Sequence, residues 1–316
     1  MKNPVIVIVG PTASGKSAVA VELAIQINGE IISADSVQVY KYMNIGSGKV
    51  TEEEKKGIPH YMLDIVDPTD SYNVSMYKTQ ARQHISEIQS KGKIPIICGG
   101  TGLYIDSLLF PMGFTPGFDP EIREKWETYY KENGKDKLYH TLCSVDPEEA
   151  ESIDSNNVKR VIRALEIYDL TGRPKSSQVD RGYANRTFFY ENTYVFGLNW
   201  DREEIVDRIR KRTHLMICNG LKSETESLLN MGCNSQSQSM QALGYKEMVP
   251  YIESNSTSSL EIVENEIWIH TRQFAKRQMT WFKRNPQIKW IPGSTVESMT
   301  DMILRSIRTG ESEFDF

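Results

Sequence analysis

Five consecutive β-branched residues, Val5-Ile6-Val7-Ile8-Val9, run without a polar interruption into Gly10-Pro11-Thr12-Ala13-Ser14-Gly15-Lys16-Ser17. An unbroken apolar run of that length fits a strand buried on both faces of a parallel sheet. The residues after it match G-x-x-x-x-G-K-[ST], the loop in which backbone N–H groups and a helix N-terminus face an anion. In that pattern Lys16 adds a point charge, and the Ser17 hydroxyl is placed to coordinate Mg²⁺. Ser17 to Ile27, rich in Ala and Val and followed by Asn28-Gly29, predicts the helix that the pattern requires. The combination fixes a phosphate or diphosphate ligand at residues 10 to 17 and leaves the reaction open.

Ile31-Ile32 and Ile94 to Cys98 read as further strands, ending in Asp35-Ser36-Val37-Gln38 and Gly99-Gly100-Thr101-Gly102-Leu103-Tyr104. Ligands of open parallel sheets gather beyond the carboxyl ends of the strands, so both turns are expected to converge on the phosphates. Asp35 is thereby a candidate general base or metal ligand, with capping of a turn as the structural alternative. For Thr101 the alternative is a hydroxyl bonded within its own turn. From Phe110 the texture changes: Pro111, Gly113, Pro116, Gly117 and Pro120 punctuate a linker, and charged helical sequence follows to about Thr171. Thr193 to Leu198 returns as a strand and Glu203 to Leu229 as a helix; a last helix spans Ser259 to Arg284, and Ile288 to Ile291 the final strand. The expectation is an α/β fold with a P-loop NTPase-like parallel sheet core, residues 1–112 and 187–316, interrupted by an all-helical domain over 113–186.

No apolar run approaches the roughly 18 residues that span a bilayer. Cys98, Cys143, Cys218 and Cys233 are scattered without zinc-ligand spacing, which suits reduced thiols in a cytoplasmic protein. The net charge of −5 argues at face value against a polyanion partner. The local count reverses this. Ser155 to Arg186 holds seven Lys or Arg against three acids, and His270 to Trp290 holds six against none, so these segments carry +4 and +6 and the remainder −15. On a helix over Val158 to Tyr168, Val158, Val161, Ile162, Leu165 and Tyr168 share one face while Lys159, Arg160 and Arg163 project from the other. In the last helix Ile267, Phe274 and Trp281 are expected to pack, with Arg272, Lys276 and Lys283 pointing away together. Uncompensated cations at this density call for an anionic partner, and a polynucleotide fits. Arg208 and Arg212 lie one turn apart and can clamp a diphosphate; Glu204, one turn before Arg208, offers a surface ion pair instead.

The phosphate loop is followed in order by Ile32-Ser-Ala-Asp35-Ser36-Val-Gln38-Val-Tyr40, Ile45-Gly-Ser-Gly-Lys49, Asp64-Ile-Val-Asp67-Pro68, Gly99-Gly-Thr101-Gly-Leu-Tyr104, Gln241-Ala-Leu-Gly-Tyr245-Lys246 and Thr271-Arg-Gln-Phe-Ala-Lys-Arg-Gln-Met-Thr-Trp281-Phe. This series resembles the tRNA dimethylallyltransferases. The resemblance implies an enzyme that transfers a dimethylallyl group from dimethylallyl diphosphate to N6 of the adenosine just 3′ of the anticodon, releasing pyrophosphate. It implies a helical insert gripping the anticodon stem-loop, Asp35 as base, and Thr12 to Ser17 holding the diphosphate. It further implies tRNA contacts from Asp35, Ser36, Val37, Gln38, Thr101, Arg123, Lys159, Arg160, Val161, Ile162, Arg163, Gln241, Ala242, Leu243, Gly244, Tyr245 and Lys246. Tyr61 after His60 and Tyr72-Asn73-Val74 depart from the family's pattern locally.

The residues suit this chemistry. Lys16, Mg²⁺ on Ser17 with Asp35 as a further candidate ligand, and the Arg208/Arg212 pair would neutralise the leaving diphosphate, and a flipped-out target base would have its edge read by Gln38 and Thr101. Two other readings use the same loop: a P-loop kinase with ATP in the loop and a small acceptor, and a nucleotide-gated RNA-binding protein without catalysis. A cytoplasmic monomer with no membrane partner is expected.

Overall fold

The computed structural model describes residues 4–111, 119–178, 183, 186–254 and 259–309. Two compact units divide the chain, Met1–Pro111 with Arg186–Phe316, and Met112–Asn185.

The first unit opens with β1 (Val5–Val9), every residue of it buried, and α1 (Lys16–Ile27). Asn28 ends α1 in the left-handed region at φ 55°, a conformation that asparagine tolerates better than most residues. β2 (Gly29–Ser33), α2 (Glu52–Lys55), β3 (His60–Tyr61), α3 (Val74–Ser90), β4 (Ile94–Gly99) and α4 (Gly102–Leu109) follow. The second unit contains α5 (Pro120–Val145), α6 (Pro147–Ser152) and α7 (Val158–Thr171). The first unit then resumes with β5 (Thr193–Asn199), α8 (Arg202–Cys218), α9 (Leu221–Asn230), α10 (Tyr245–Glu253), α11 (Leu260–Phe282), β6 (Lys289–Pro292) and α12 (Val296–Thr309).

The six strands form one sheet in the order β3-β2-β4-β1-β5-β6, and every neighbouring pair is parallel. β1 sits in its interior between β4 and β5, which is why its sequence is apolar throughout rather than alternating. Ile6 and Ile8 pack against Val19 and Leu23 of α1 and against Met299, Ile303 and Leu304 of α12. The helix after the final strand was not expected from the sequence, yet it closes this core. The helix expected over 203–229 is two, because Gly220 at φ 97° breaks it into α8 and α9.

In the second unit Trp126, Leu138 and Leu142 of α5 meet Val161, Ile162 and Leu165 of α7. Val161 and Ile162 were expected among the tRNA contacts. Their side chains are 0% and 3% exposed, and they build this unit's core instead.

Candidate active site

β2, β4 and β1 are adjacent and end nearly level, with Val9 opposite Gly99 and Ser33 opposite Cys98. The three loops that leave them therefore share one sheet edge. The Ala34 N–H donates to the Cys98 carbonyl at 2.8 Å, and the Thr101 N–H to the Ala34 carbonyl at 3.1 Å. Thr101 Oγ1 accepts from the Ser36 N–H at 3.0 Å, so the hydroxyl laces the two loops together. Gly99 permits this approach, since a Cβ there would run into the Ala34 backbone.

The phosphate loop borders a cavity of about 590 Å³ lined by Gly15, Lys16, Ser17, Arg208 and Arg212. Lys16 Nζ donates to the Pro11 carbonyl at 2.7 Å. Loss of hydration lowers its ammonium to about 8, opposed by the nearby Cys98 and Asp35 and assisted by Arg212. Arg208 Nε donates to the Ala13 carbonyl at 2.8 Å, and its guanidinium lies 4.1 Å from the centre of the Trp200 ring. The Trp200 indole N–H in turn donates to the Ser14 carbonyl at 2.9 Å. Arg212 Nη2 donates to the Ser47 carbonyl at 3.1 Å; desolvation lowers Arg212 from its ordinary value, with Asp35 acting against it. All three cations thus rest on neutral acceptors, and Arg208 is engaged by Ala13 and Trp200 rather than by Glu204. Inside the loop, Ser14 Oγ is buried without a hydrogen-bond partner among the described residues. The arrangement concentrates positive charge where an anion is to be received.

A second cavity of about 300 Å³ is lined by Thr12, Asp35, Thr101, Arg212 and Lys246, among others. Arg212 borders both cavities. Asp35 Oδ1 accepts from the N–H groups of Val37 at 2.8 Å and Gln38 at 3.3 Å. One carboxylate oxygen therefore caps the turn, as the structural alternative foresaw, which leaves Oδ2 for chemistry. Ser36, Val37, Gln241, Ala242 and Leu243 also line this cavity.

Other residues singled out from the sequence have different positions. Gln38 turns inward, its Nε2 donating to the Gly48 carbonyl at 3.3 Å and its Oε1 accepting from Ser33 Oγ at 3.0 Å. Tyr245 is fully buried, and Gly244, at φ 94°, starts α10; both shape the wall without lining it. Arg272, Lys276 and Lys283 do share a face, but it borders a separate groove with Pro11 and Trp200. The packing row of α11 is Val263, Ile267, Ala275, Gln278 and Phe282, while Phe274 lines the Asp35 cavity and the half-buried Trp281 donates its indole N–H to Asp106 at 3.0 Å. In the second unit Lys159 and Arg160 are exposed, whereas Arg123 and Arg163 both pair with the buried carboxylate of Glu166, at 2.5 and 3.1 Å.

Two residues of α11 join the site unannounced. Arg277 lines the Asp35 cavity. Gln278 accepts from the Thr12 N–H at 2.8 Å and donates to the Gly100 carbonyl at 2.9 Å, stapling the phosphate loop to the turn that carries Thr101. The sequence does hold a signal for it: a polar amide in the buried row of an amphipathic helix needs internal partners.

Among the described residues no group of three or more His, Cys, Asp or Glu is arranged to hold a metal ion. The protein donors at the phosphate loop, Ser17 with Asp35 nearby, suit an ion such as Mg²⁺ that keeps water and phosphate oxygens as most of its ligands.

Residues 38–285 match the family model described as IPP transferase. The chain is 46% identical over 309 residues to the tRNA dimethylallyltransferase of Carboxydothermus hydrogenoformans, covering 96% of this chain and 97% of the relative. It is 45% identical over 307 residues to that of Bacillus cereus strain B4264, covering 97% and 95%. The solved tRNA delta(2)-isopentenylpyrophosphate transferase of Staphylococcus epidermidis aligns with a TM-score of 0.70 and 40% identity, over 98% of this chain and 100% of that one. A eukaryotic dimethylallyltransferase acting on tRNA aligns with a TM-score of 0.79 and 29% identity, over 96% and 78%. With a phosphate loop, an Asp35 turn and a Thr101 turn on one sheet edge, and with relatives matched along nearly their whole length, the chain belongs to the IPP transferase family, the tRNA dimethylallyltransferases.

Proposed function

We propose that this protein transfers the dimethylallyl group of dimethylallyl diphosphate to N6 of the adenosine immediately 3′ of the anticodon in tRNA. The observation that carries the proposal is Arg212, which borders both the phosphate-loop cavity and the cavity of Asp35 and Thr101. A diphosphate seated against Lys16, Ser17 and the backbone of residues 12–17 would then place its allylic carbon toward Asp35. An exocyclic adenine amine reaches that carbon only after leaving its stack, so the base enters by flipping.

In the transfer the N6–C bond forms, the C–O bond to the diphosphate breaks, and the amine proton passes to Asp35 Oδ2. Lys16, Arg208 and Arg212 take up the charge that grows on the departing pyrophosphate, and they do so from fixed positions that need no reorganisation. Because the amine lone pair is delocalised into the ring, proton transfer accompanies bond formation rather than preceding it. Mg²⁺ held by Ser17, with Asp35 alongside, would supply further neutralisation of the diphosphate. Thr101 keeps the two turns in register, and Ser36, Val37, Gln241, Ala242, Leu243, Lys246 and Arg277 offer the contacts for the flipped base and its flanking nucleotides. Exposed Lys159 and Arg160 of the second unit serve RNA phosphates. Among the described residues no helix is long and apolar enough to cross a membrane.

The test is incubation of the purified protein with labelled dimethylallyl diphosphate and an unmodified anticodon stem-loop, and separately with ATP and small acceptors. Label on the RNA supports the proposal. ADP release without RNA labelling supports a kinase, and RNA binding without a covalent product supports a non-catalytic role.

A further inference from the structure

We infer that Glu224, on α9, is a positioning residue for the transfer step: it fixes the 44–48 loop whose Ser47 carbonyl holds Arg212 between the two cavities. The inference rests on the reading of the site given above.

Three consecutive backbone N–H groups, those of Asn44, Ile45 and Gly46, converge on the Glu224 carboxylate. Asn44 donates to Oε2 at 2.9 Å, Ile45 to both oxygens at 2.9 and 3.0 Å, and Gly46 to Oε1 at 3.1 Å. Successive amides of this kind form a concave anion site, and here the anion is a side chain of the protein. Tyr245 Oη donates to Oε1 at 2.6 Å. Burial above all, and then the Glu224 charge, push the Tyr245 phenol far above its ordinary value, so it remains a donor at every pH at which the protein works.

The loop held in this way has little freedom. Gly46 lies against the Tyr245 ring, where a Cβ would approach ring carbons to 2.5 Å. Gly48, in the left-handed region at φ 59°, leaves the space filled by the Arg212 guanidinium. Between them Ser47 Oγ donates to the Met43 carbonyl at 2.6 Å, and the Ser47 carbonyl accepts from Arg212 at 3.1 Å. Gly48 accepts from Gln38, a neighbour of Asp35 in the same turn. Glu224 thus ends a chain of contacts that reaches Arg212 by one branch and the Asp35 turn by the other. Arg212 acts on charge that develops as the C–O bond breaks. Loosening its support should lower kcat while leaving diphosphate affinity, which Lys16 and the loop amides carry, nearly intact.

The experiment compares wild type, E224Q, R212K and the double variant under saturating RNA, with amide exchange at residues 44–46 followed alongside. Glutamine keeps the side-chain length and loses the charge that binds three amides. Expected are a kcat about a hundredfold lower in E224Q with the diphosphate KM within about threefold, and faster exchange at residues 44–46. In the R212K background E224Q should add less than about threefold, because both changes act through one group. Losses that multiply in the double variant, or an E224Q enzyme with wild-type kcat, overturn the inference. Should E224Q not fold, Y245F removes one of the carboxylate's hydrogen bonds with little change of volume and carries the same test, with about a fivefold expected loss in kcat that R212K again absorbs. Wild-type protein that forms no prenylated RNA would instead refute the proposed function, and the amide-exchange comparison separates the two failures.

Discussion

Two groups of cations in this molecule share composition and differ in what holds them. In the first unit Lys16, Arg208 and Arg212 rest on the carbonyls of Pro11, Ala13 and Ser47. In the second, Arg123 and Arg163 converge on Glu166, Lys125 pairs with Asp169, and Lys175 with Glu149. A carbonyl orients a cation and leaves its charge uncancelled, whereas a carboxylate cancels it and makes the pair structural. Charge counts do not separate these cases. The partner of each cation does; Lys159 and Arg160, exposed on α7, are the second unit's cations that the proposed function assigns to RNA phosphates.

The largest test of that contrast removes the Asp35 carboxylate, which lines the cavity it shares with Arg212. Asp35→Ala should lower kcat by about a thousandfold or more, the scale of a lost general base, with RNA affinity retained in a binding titration. Arg212→Ala should lower kcat by about a hundredfold, while Arg163→Ala, which removes a carboxylate-paired cation, should leave kcat at saturating RNA within about threefold. Equal losses in the two arginine variants would break the comparison. Replacing Lys159 and Arg160 together by Ala should weaken RNA binding about tenfold and reduce the salt dependence of binding by roughly two counterions, measured as the slope of log affinity against log salt. The smallest effect is one of pH. Burial lowers Lys16 to about 8, so its charge is present below that value and lost above it. Binding of dimethylallyl diphosphate without RNA should be level between about pH 7 and 8, where the phosphate oxygens are already ionised, and weaken as pH rises further. Lys16→Arg should abolish that inflection.

Much of the site is legible in the sequence because it is local. β1, the phosphate loop and α1 form one contiguous segment, and the positions of Asp35 and Thr101 follow from strands that end at the same edge. What escaped depends on partners far along the chain. Gln278 meets Thr12 across 266 positions, and Glu224 meets the 44–46 amides across about 180. Helical periodicity also sorts α11 into faces without saying which face meets the cavity: Arg277 borders the Asp35 cavity, while Arg272, Lys276 and Lys283 border another groove. Periodicity does place Val161 and Ile162 of α7 on the packing face, and they are buried there; the tRNA contacts at 161 and 162 rest on the resemblance alone, and a helix turns those side chains away from Lys159 and Arg160. α12 lies beyond the last strand signal, where the sequence analysis places no element, though its Met299, Ile303 and Leu304 complete the packing on α1.

The central claim is that two cavities meeting at Arg212 bring a diphosphate and a flipped adenosine together. Its most direct measurement is a single turnover of purified protein with dimethylallyl diphosphate and an unmodified anticodon stem-loop, quantifying N6-prenylated adenosine and pyrophosphate in the same samples. The account predicts both products in equal amounts and on the same time course, and both formed about a thousandfold more slowly by Asp35→Ala. Pyrophosphate released without prenylated RNA, or product formed by the Asp35→Ala protein at the wild-type rate, would contradict it.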